Sequence, residues 1–262
     1  MKRIMMTVAY DGTDYCGWQL QPGRITVEGV INEALSQMLK EDIQVIGASR
    51  TDAGVHSRGN VCVFDTSRSI APENVARALN ARLPDTVVIT GACEVAPDFH
   101  PRKCDCVKTY EYRILNCAID DPMRTRYCLH VERPLDVEKM KQAAAHFIGE
   151  HDFTSFCSPQ TNAISKIRTV YETEIMCYNA SVSGVSDARE IVIRVTGSGF
   201  LYNMVRIIAG TLIAVGQGRI SPDAISAMIE ARDRRAAGPT APAKGLTQVG
   251  IRYSSLDTPA KT

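Results

Sequence analysis

Thr26 to Thr66 reads TVEGVINEALSQMLKEDIQVIGASRTDAGVHSRGNVCVFDT. Its first part spaces Val27, Val30, Ile31, Ala34, Leu35, Met38 and Leu39 at intervals of three and four behind a threonine able to cap, which predicts a helix buried on one face. Apolar segments near 43–48 and 59–65 predict two strands, separated by the polar run Ser49–Ser57. A helix and two strands leave apolar faces uncovered, so the flanking sequence has to supply partners. Upstream, residues 2–10 read as a strand. Downstream, Pro72 opens a helix at its first turn and residues 86–95 form another strand. The order is β-α-β-β-α-β.

The rest of the chain gives that order again: strand 107–115, a helix capped by Asp136, strands 166–178 and 190–196, a helix from about residue 200, and strand 247–253. One extra helix falls near 222–235. No fixed-period repeat relates the halves, so the order of elements alone supports a duplicated split β-α-β plan. Pro97–Cys106 is the best boundary, giving halves of residues 1–103 and 104–262. Gly238–Gly245 is a turn-rich loop delivering the last strand.

A chain of 262 residues with 45% hydrophobic and 23% charged residues can build a sizeable core and is neither disordered nor fibrous. No apolar run reaches membrane-spanning length, and the opening MKRIMMTVAYDG turns polar at Asp11, too early for a signal peptide; a cytoplasmic protein is expected. Thirty Lys and Arg against 29 Asp and Glu leave a net charge of +1, so any nucleic-acid role needs a local basic surface. Nine scattered cysteines, several in apolar runs such as Val61-Cys62-Val63, are expected as reduced, buried thiols. Cys104-Asp105-Cys106 with His100 and His130 lacks paired C-x-x-C spacing, so no metal is expected. Tyr10-Asp11-Gly12-Thr13 approaches an aspartyl-phosphatase loop, but Ala9 stands at the nucleophile's place. Gly197-Ser198-Gly199 lacks the third glycine of a dinucleotide fingerprint and reads as a strand-to-helix turn.

One connection holds more polar chemistry than turning requires, and two further residues are candidates to carry chemistry. Arg50, Thr51, Asp52 and His56 crowd one connection, although Asp52 could simply cap a local turn through the amide of Gly54 or Val55. Arg206 lies off the apolar stripe Phe200, Leu201, Met204, Val205, Ile208 and Leu212, beside Tyr202, where solvation alone would explain it. Tyr110 sits on a strand face with Lys108 and Tyr112, a position that packing alone explains.

Six ordered stretches together resemble the tRNA pseudouridine synthase A family. They are Tyr10-Asp11-Gly12-Thr13 with Gly17-Trp18-Gln19, Arg50 to His56, Lys108 to Tyr112, Asp152 to Phe156, Gly199 to Arg206, and Thr240 to Ala243 with Gly245-Leu246. Arg-Thr-Asp and Met-Val-Arg are the specific ones. Ser49 and Ser57 depart from the family, where many members have Gly and Ala. The resemblance implies an α+β fold of two ferredoxin-like, split β-α-β halves whose antiparallel sheets flank a central catalytic cleft. It implies an isomerase that converts uridine to pseudouridine in the tRNA anticodon stem-loop, at positions 38, 39 and 40, without metal or cofactor, acting as a homodimer.

By the same resemblance Asp52 is the reactive carboxylate, attacking C1′ or C6 or stabilising developing charge. Burial would push its pKa upward, and Arg206 is the guanidinium that opposes this through a forked pair of hydrogen bonds. Tyr110 stacks on the extruded base and its hydroxyl can help move the C5 proton. Arg50 holds the flipped nucleotide or fills its vacated place; a phosphate contact or loop salt bridge is the alternative. Arg102, Lys103, Lys108, Arg124, Arg126, Arg232, Arg234 and Arg235 are candidate phosphate contacts. Two other functions compete: a non-catalytic RNA-binding module, which lacks its sheet-stacking signature here, and a hydrolase releasing free uracil.

Overall fold

A computed structural model describes residues 1–254. The fold is α+β, and the chain divides into two compact units: Met1–Cys106 with the chain from Thr247 on, and Val107–Leu246.

In the first unit β1 (Lys2–Tyr10), α1 (Val27–Leu39), β2 (Ile46–Gly47), β3 (His56–Thr66), α2 (Pro72–Asn80) and β4 (Val87–Val95) follow the expected order. β1 lies between β4 and β3, antiparallel to both, and β2 pairs antiparallel with β3. Alternation along β1 turns Ile4, Met6, Val8 and Tyr10 to one face, where they meet Ile31 and Leu35 of α1 and Val75 and Leu79 of α2. Each such side chain contributes about 1.5–3 kcal/mol by leaving water. Thr26 caps α1 by accepting from the Gly29 amide at 3.3 Å, as its position predicts. β3 is buried almost throughout, because Val61 and Val63 on its other face pack with Ala48, Phe99 and Tyr253. It begins at His56 rather than near 59, and the strand expected at 43–48 contracts to Ile46–Gly47.

In the second unit β5 (Cys106–Asn116) is followed by β6 (Leu129–Val131), α3 (Val137–Ala145), β7 (Gly149–Asp152), β8 (Ile167–Asn179), β9 (Arg189–Gly197), α4 (Met204–Gly216) and α5 (Ala224–Glu230). The sheet runs β5-β9-β8-β7 with antiparallel pairs, and β6 joins β5 in parallel. The short β6 and β7 lie outside the sequence reading, being too brief for a periodic signal. Asp136 caps α3 by accepting from the Lys139 amide at 3.1 Å. α4 starts at Met204, later than expected, because Asn203 takes a left-handed conformation (φ 61°) and leaves Phe200 to Tyr202 in the preceding turn. Every residue of α4 except Arg206 is buried, so it is a central helix rather than a one-faced one.

The last strand, β10 (Leu246–Tyr253), pairs in parallel with β3, Thr247 with His56 and Gln248 with Ser57. The expected halves assigned it to residues 104–262; here it groups with the first unit. The thiols are all free, but only Cys62, Cys117, Cys128 and Cys157 are buried, while Cys93 and Cys177 are exposed on strands that leave alternate residues to solvent.

Candidate active site

The polar run between β2 and β3 is a tight turn on a rigid base. The Val55 amide donates to the Asp52 carbonyl at 3.1 Å, and the Gly54 amide donates to the Tyr15 carbonyl at 3.3 Å. Both amides that a local-cap reading would assign to the Asp52 carboxylate are therefore bonded to main-chain oxygens. Asp52 itself is half-buried and Arg50 exposed. Before the turn, Thr51 is held at two points: its carbonyl accepts from the Trp18 amide at 3.0 Å, and its hydroxyl lies 2.7 Å from that of Tyr10. After it, His56 Nδ1 accepts from the Gly12 amide at 3.1 Å and lies 3.1 Å from Asp11 Oδ1.

The segment that holds the turn, residues 10–18, is itself tied down: the Asp11 amide donates to the Thr86 carbonyl at 2.9 Å, and the Tyr15 and Thr86 hydroxyls lie 2.7 Å apart. It approaches the turn so closely that a side chain at Gly12 would overlap the Val55 carbonyl. At Gly17 (φ 85°) a Cβ would lie 2.5 Å from the Thr51 carbonyl oxygen. Ser57 accepts from the Gly59 amide at 3.1 Å and its hydroxyl donates to Gln248 Oε1 at 3.3 Å, while the Ser49 hydroxyl and Gln248 Nε2 are buried without a hydrogen-bond partner. Both serines that depart from the family pattern are thus buried, Ser49 with its carbonyl accepting from Asn60 Nδ2 at 3.1 Å and Ser57 beside Gln248.

The second unit carries Tyr110 and Arg206. Tyr110, 8% exposed on β5 opposite Val195, meets the Phe200 ring edge-on at a centroid distance of 5.2 Å and 81°. Phe200, expected as part of a helical core stripe, instead serves as a wall for the tyrosine. Arg206 stands in the first turn of α4. Its Nε donates to the Ala241 carbonyl at 2.8 Å and its Nη1 to Asn203 Oδ1 at 2.7 Å, while its own carbonyl accepts from the Ala241 amide at 3.0 Å. Two bonds on different nitrogens fix the plane of the guanidinium, so solvation alone does not account for it. Asn203, not Tyr202, is its neighbour by hydrogen bond; Tyr202 is exposed in the turn before the helix.

The loop after Gly238 braces this arginine. The Tyr112 hydroxyl donates to the Pro242 carbonyl at 2.9 Å, and burial pushes the Tyr112 phenol well above its usual pKa despite the nearby Arg206 charge, keeping it a donor. Arg234 donates to the Gly238 carbonyl at 2.9 Å and to the Thr240 hydroxyl at 3.1 Å. Asn203, Ala241 and Pro242 gave no chemical signal in the sequence, because they act through main-chain atoms or an amide common in turns.

Several candidate phosphate contacts are engaged within the protein. Arg124 bonds Glu190 at 2.6 Å and pairs with Asp121 at 3.5 Å; Arg232 pairs with Asp152 and Arg235 with Asp233. Arg102 and Lys103 are exposed beside the buried Pro101. Among the described residues no group of three or more His, Cys, Asp or Glu could hold a metal ion, and no helix is long and apolar enough to cross a membrane.

A family model described as tRNA pseudouridine synthase matches residues 6–102 and 143–254, spans that contain Asp52 and Arg206 and leave Tyr110 between them. A protein of Brevibacillus brevis named tRNA pseudouridine synthase A is 49% identical over 97% of this chain and 100% of its own length. Proteins of the same name from Geobacillus sp. strain WCH70 and Pelobacter propionicus are 45% and 42% identical, over 97% of this chain and 99% and 100% of theirs. With the turn around Asp52 and the braced Arg206 falling inside the matched spans, the chain belongs to the tRNA pseudouridine synthase family.

Proposed function

We propose that Asp52 is the reactive carboxylate of this isomerase, that Arg206 pairs with it, and that Tyr110 and Arg50 bind the target nucleotide. The family's reaction on tRNA exchanges the N1–C1′ bond of uridine for a C5–C1′ bond; the C5 proton leaves and N1 takes one up, so atoms balance without a cofactor. Asp52 attacks the sugar or the base, or stabilises the charge that develops as the glycosidic bond opens. Arg206 keeps the carboxylate ionised and oriented. Tyr110 offers a face to the extruded base, which is worth about 1–3 kcal/mol against the unstacking penalty, and its hydroxyl relays the C5 proton. Arg50 holds the flipped nucleotide. The substrate region is the anticodon stem-loop, the working species a homodimer, and the compartment the cytoplasm; the first half of the chain carries Asp52 and Arg50, and the second carries Tyr110 and Arg206.

The observation that carries this reading is the turn itself: the Gly54 and Val55 amides are bonded to the Tyr15 and Asp52 main-chain carbonyls, so the Asp52 carboxylate is not needed as a cap. The test uses tRNA tritiated at uridine C5. Intact enzyme is expected to release tritium to water without releasing uracil, and Asp52→Ala to release none. Native-rate release by the variant removes Asp52 from the mechanism, and free uracil identifies a hydrolase instead. Sedimentation equilibrium of the purified chain checks the dimer.

A further inference from the structure

Assigning chemistry to Asp52 leaves unexplained why the residues just beyond its turn are polar and buried. His56 is 4% exposed at the start of β3, four positions after the carboxylate. Its Nδ1 lies 3.1 Å from both the Gly12 amide nitrogen and Asp11 Oδ1. Asp11 Oδ1 also accepts from the Thr13 amide at 3.0 Å and the Thr13 hydroxyl at 2.5 Å, which holds the 11–13 turn in shape. A neutral ring accepts the Gly12 N–H at Nδ1, and a protonated ring donates from Nδ1 to Asp11. In either state the imidazole ties the exit of the Asp52 turn to the same segment that grips its entry through Tyr10 and Trp18.

We propose that His56 is a positioning residue for Asp52. Only four residues separate the two anchors, Thr51 and His56, and Gly12 touches the Val55 carbonyl so closely that no side chain fits between. A turn clasped at both ends by one segment has little room to swing, so the direction of the Asp52 side chain is set by the clasp. Releasing one end lets the carboxylate drift, and misplacement by about 1 Å costs on the order of 10²-fold in rate. The proposal rests on the reading of Asp52 as the reactive acid.

The test measures single-turnover tritium release, tRNA affinity by filter binding and thermal unfolding for the full-length chain and its variants His56→Ala, His56→Asn, His56→Gln and Asp52→Asn. Asparagine places an amide oxygen near the Nδ1 position, able to accept from Gly12, whereas glutamine carries its amide past it. The expected result is a loss of roughly 10²-fold in rate for H56A and H56Q with tRNA affinity within about twofold, and recovery to within about fivefold of native for H56N. H56A at native rate while D52N is inactive overturns the positioning role and leaves Asp52 in place; D52N at native rate overturns the underlying reading. If H56A does not fold, H56N and H56Q decide: equal rates in the two overturn the proposal. Loss of rate that tracks loss of thermal stability, with no recovery in H56N, also overturns it.

Discussion

Arg206 is the one residue of α4 that is not buried, and what it gains from that position is a fixed plane. Lysine there cannot hold both the Ala241 carbonyl and Asn203 Oδ1 in one plane, and it lacks the fork that the proposed pairing with Asp52 calls for. Arg206→Lys is therefore expected to lower the single-turnover rate by roughly 10²-fold, the scale of losing one well-placed donor, with a smaller change in tRNA affinity. Tyr110→Phe keeps the ring against Phe200 and removes only the hydroxyl. Filter binding should be retained while tritium release falls roughly 10²–10⁴-fold, the usual contribution of a proton-transfer group. Binding lost in parallel with rate would make Tyr110 a packing residue. Asp52, Tyr110 and Arg206 are singled out in the sequence only by the family resemblance, since a turn cap, packing and solvation would explain them locally. Their bracing was not legible, since Thr51 and Tyr10 are 41 positions apart and Arg206 and Ala241 are 35, and no periodicity links such pairs.

At the level of elements, the β5–β9 pair is stitched by charges on the face opposite Tyr110. Glu111, 5% exposed, accepts from Arg194 and Arg113, each at 2.7 Å, and Glu190 bridges Arg113 and Arg124. Burial pushes the Glu111 carboxyl up, but hydrogen bonds from Arg194 and Arg113 more than offset it and hold the carboxyl below its usual range. A folded value below the unfolded one means that the unfolded chain binds more protons in the acid range. The stabilisation is then fully present above the unfolded pKa, near 4.3, and fades as pH falls through the folded value. Urea midpoints measured from pH 6 to pH 3 should fall less steeply in Glu111→Gln than in the native chain. Glu111→Ala, which leaves Arg113 to Glu190 and the partly exposed Arg194 to Glu174, is expected to cost about 1–3 kcal/mol. Elements with caps and a clear period, such as α1 with Thr26 and α3 with Asp136, could be read locally. The start of α4 could not, because it depends on one left-handed residue, Asn203.

For the molecule as a whole, a near-neutral chain that acts on RNA has to concentrate its contacts, and ion pairs within the protein already engage several candidates. Affinity for tRNA is expected to fall steeply with salt. Replacing Arg102 and Lys103 together by alanine should reduce the slope of log affinity against log salt by roughly 1–2, one contact each. Arg124→Ala should leave that slope unchanged and lower the urea midpoint instead, since its guanidinium serves Glu190 and Asp121. A reduced slope in Arg124→Ala would return it to the RNA-binding surface.

What local order encodes, this sequence determined by itself: the alternation of strands and helices, the caps, and the polar connection whose side chains exceed the needs of turning. Those features depend on neighbours within a few positions, where propensity and burial period act. The clasp of residues 10–18 around the Asp52 turn, the setting of the Arg206 plane by Asn203 and Ala241, the grouping of β10 with β3, and the diversion of Arg124 into an internal pair were decided only by tertiary structure. Most of these join chain segments tens of residues apart, through main-chain atoms or common polar groups that carry no mark of their partner until folding brings them within hydrogen-bond range.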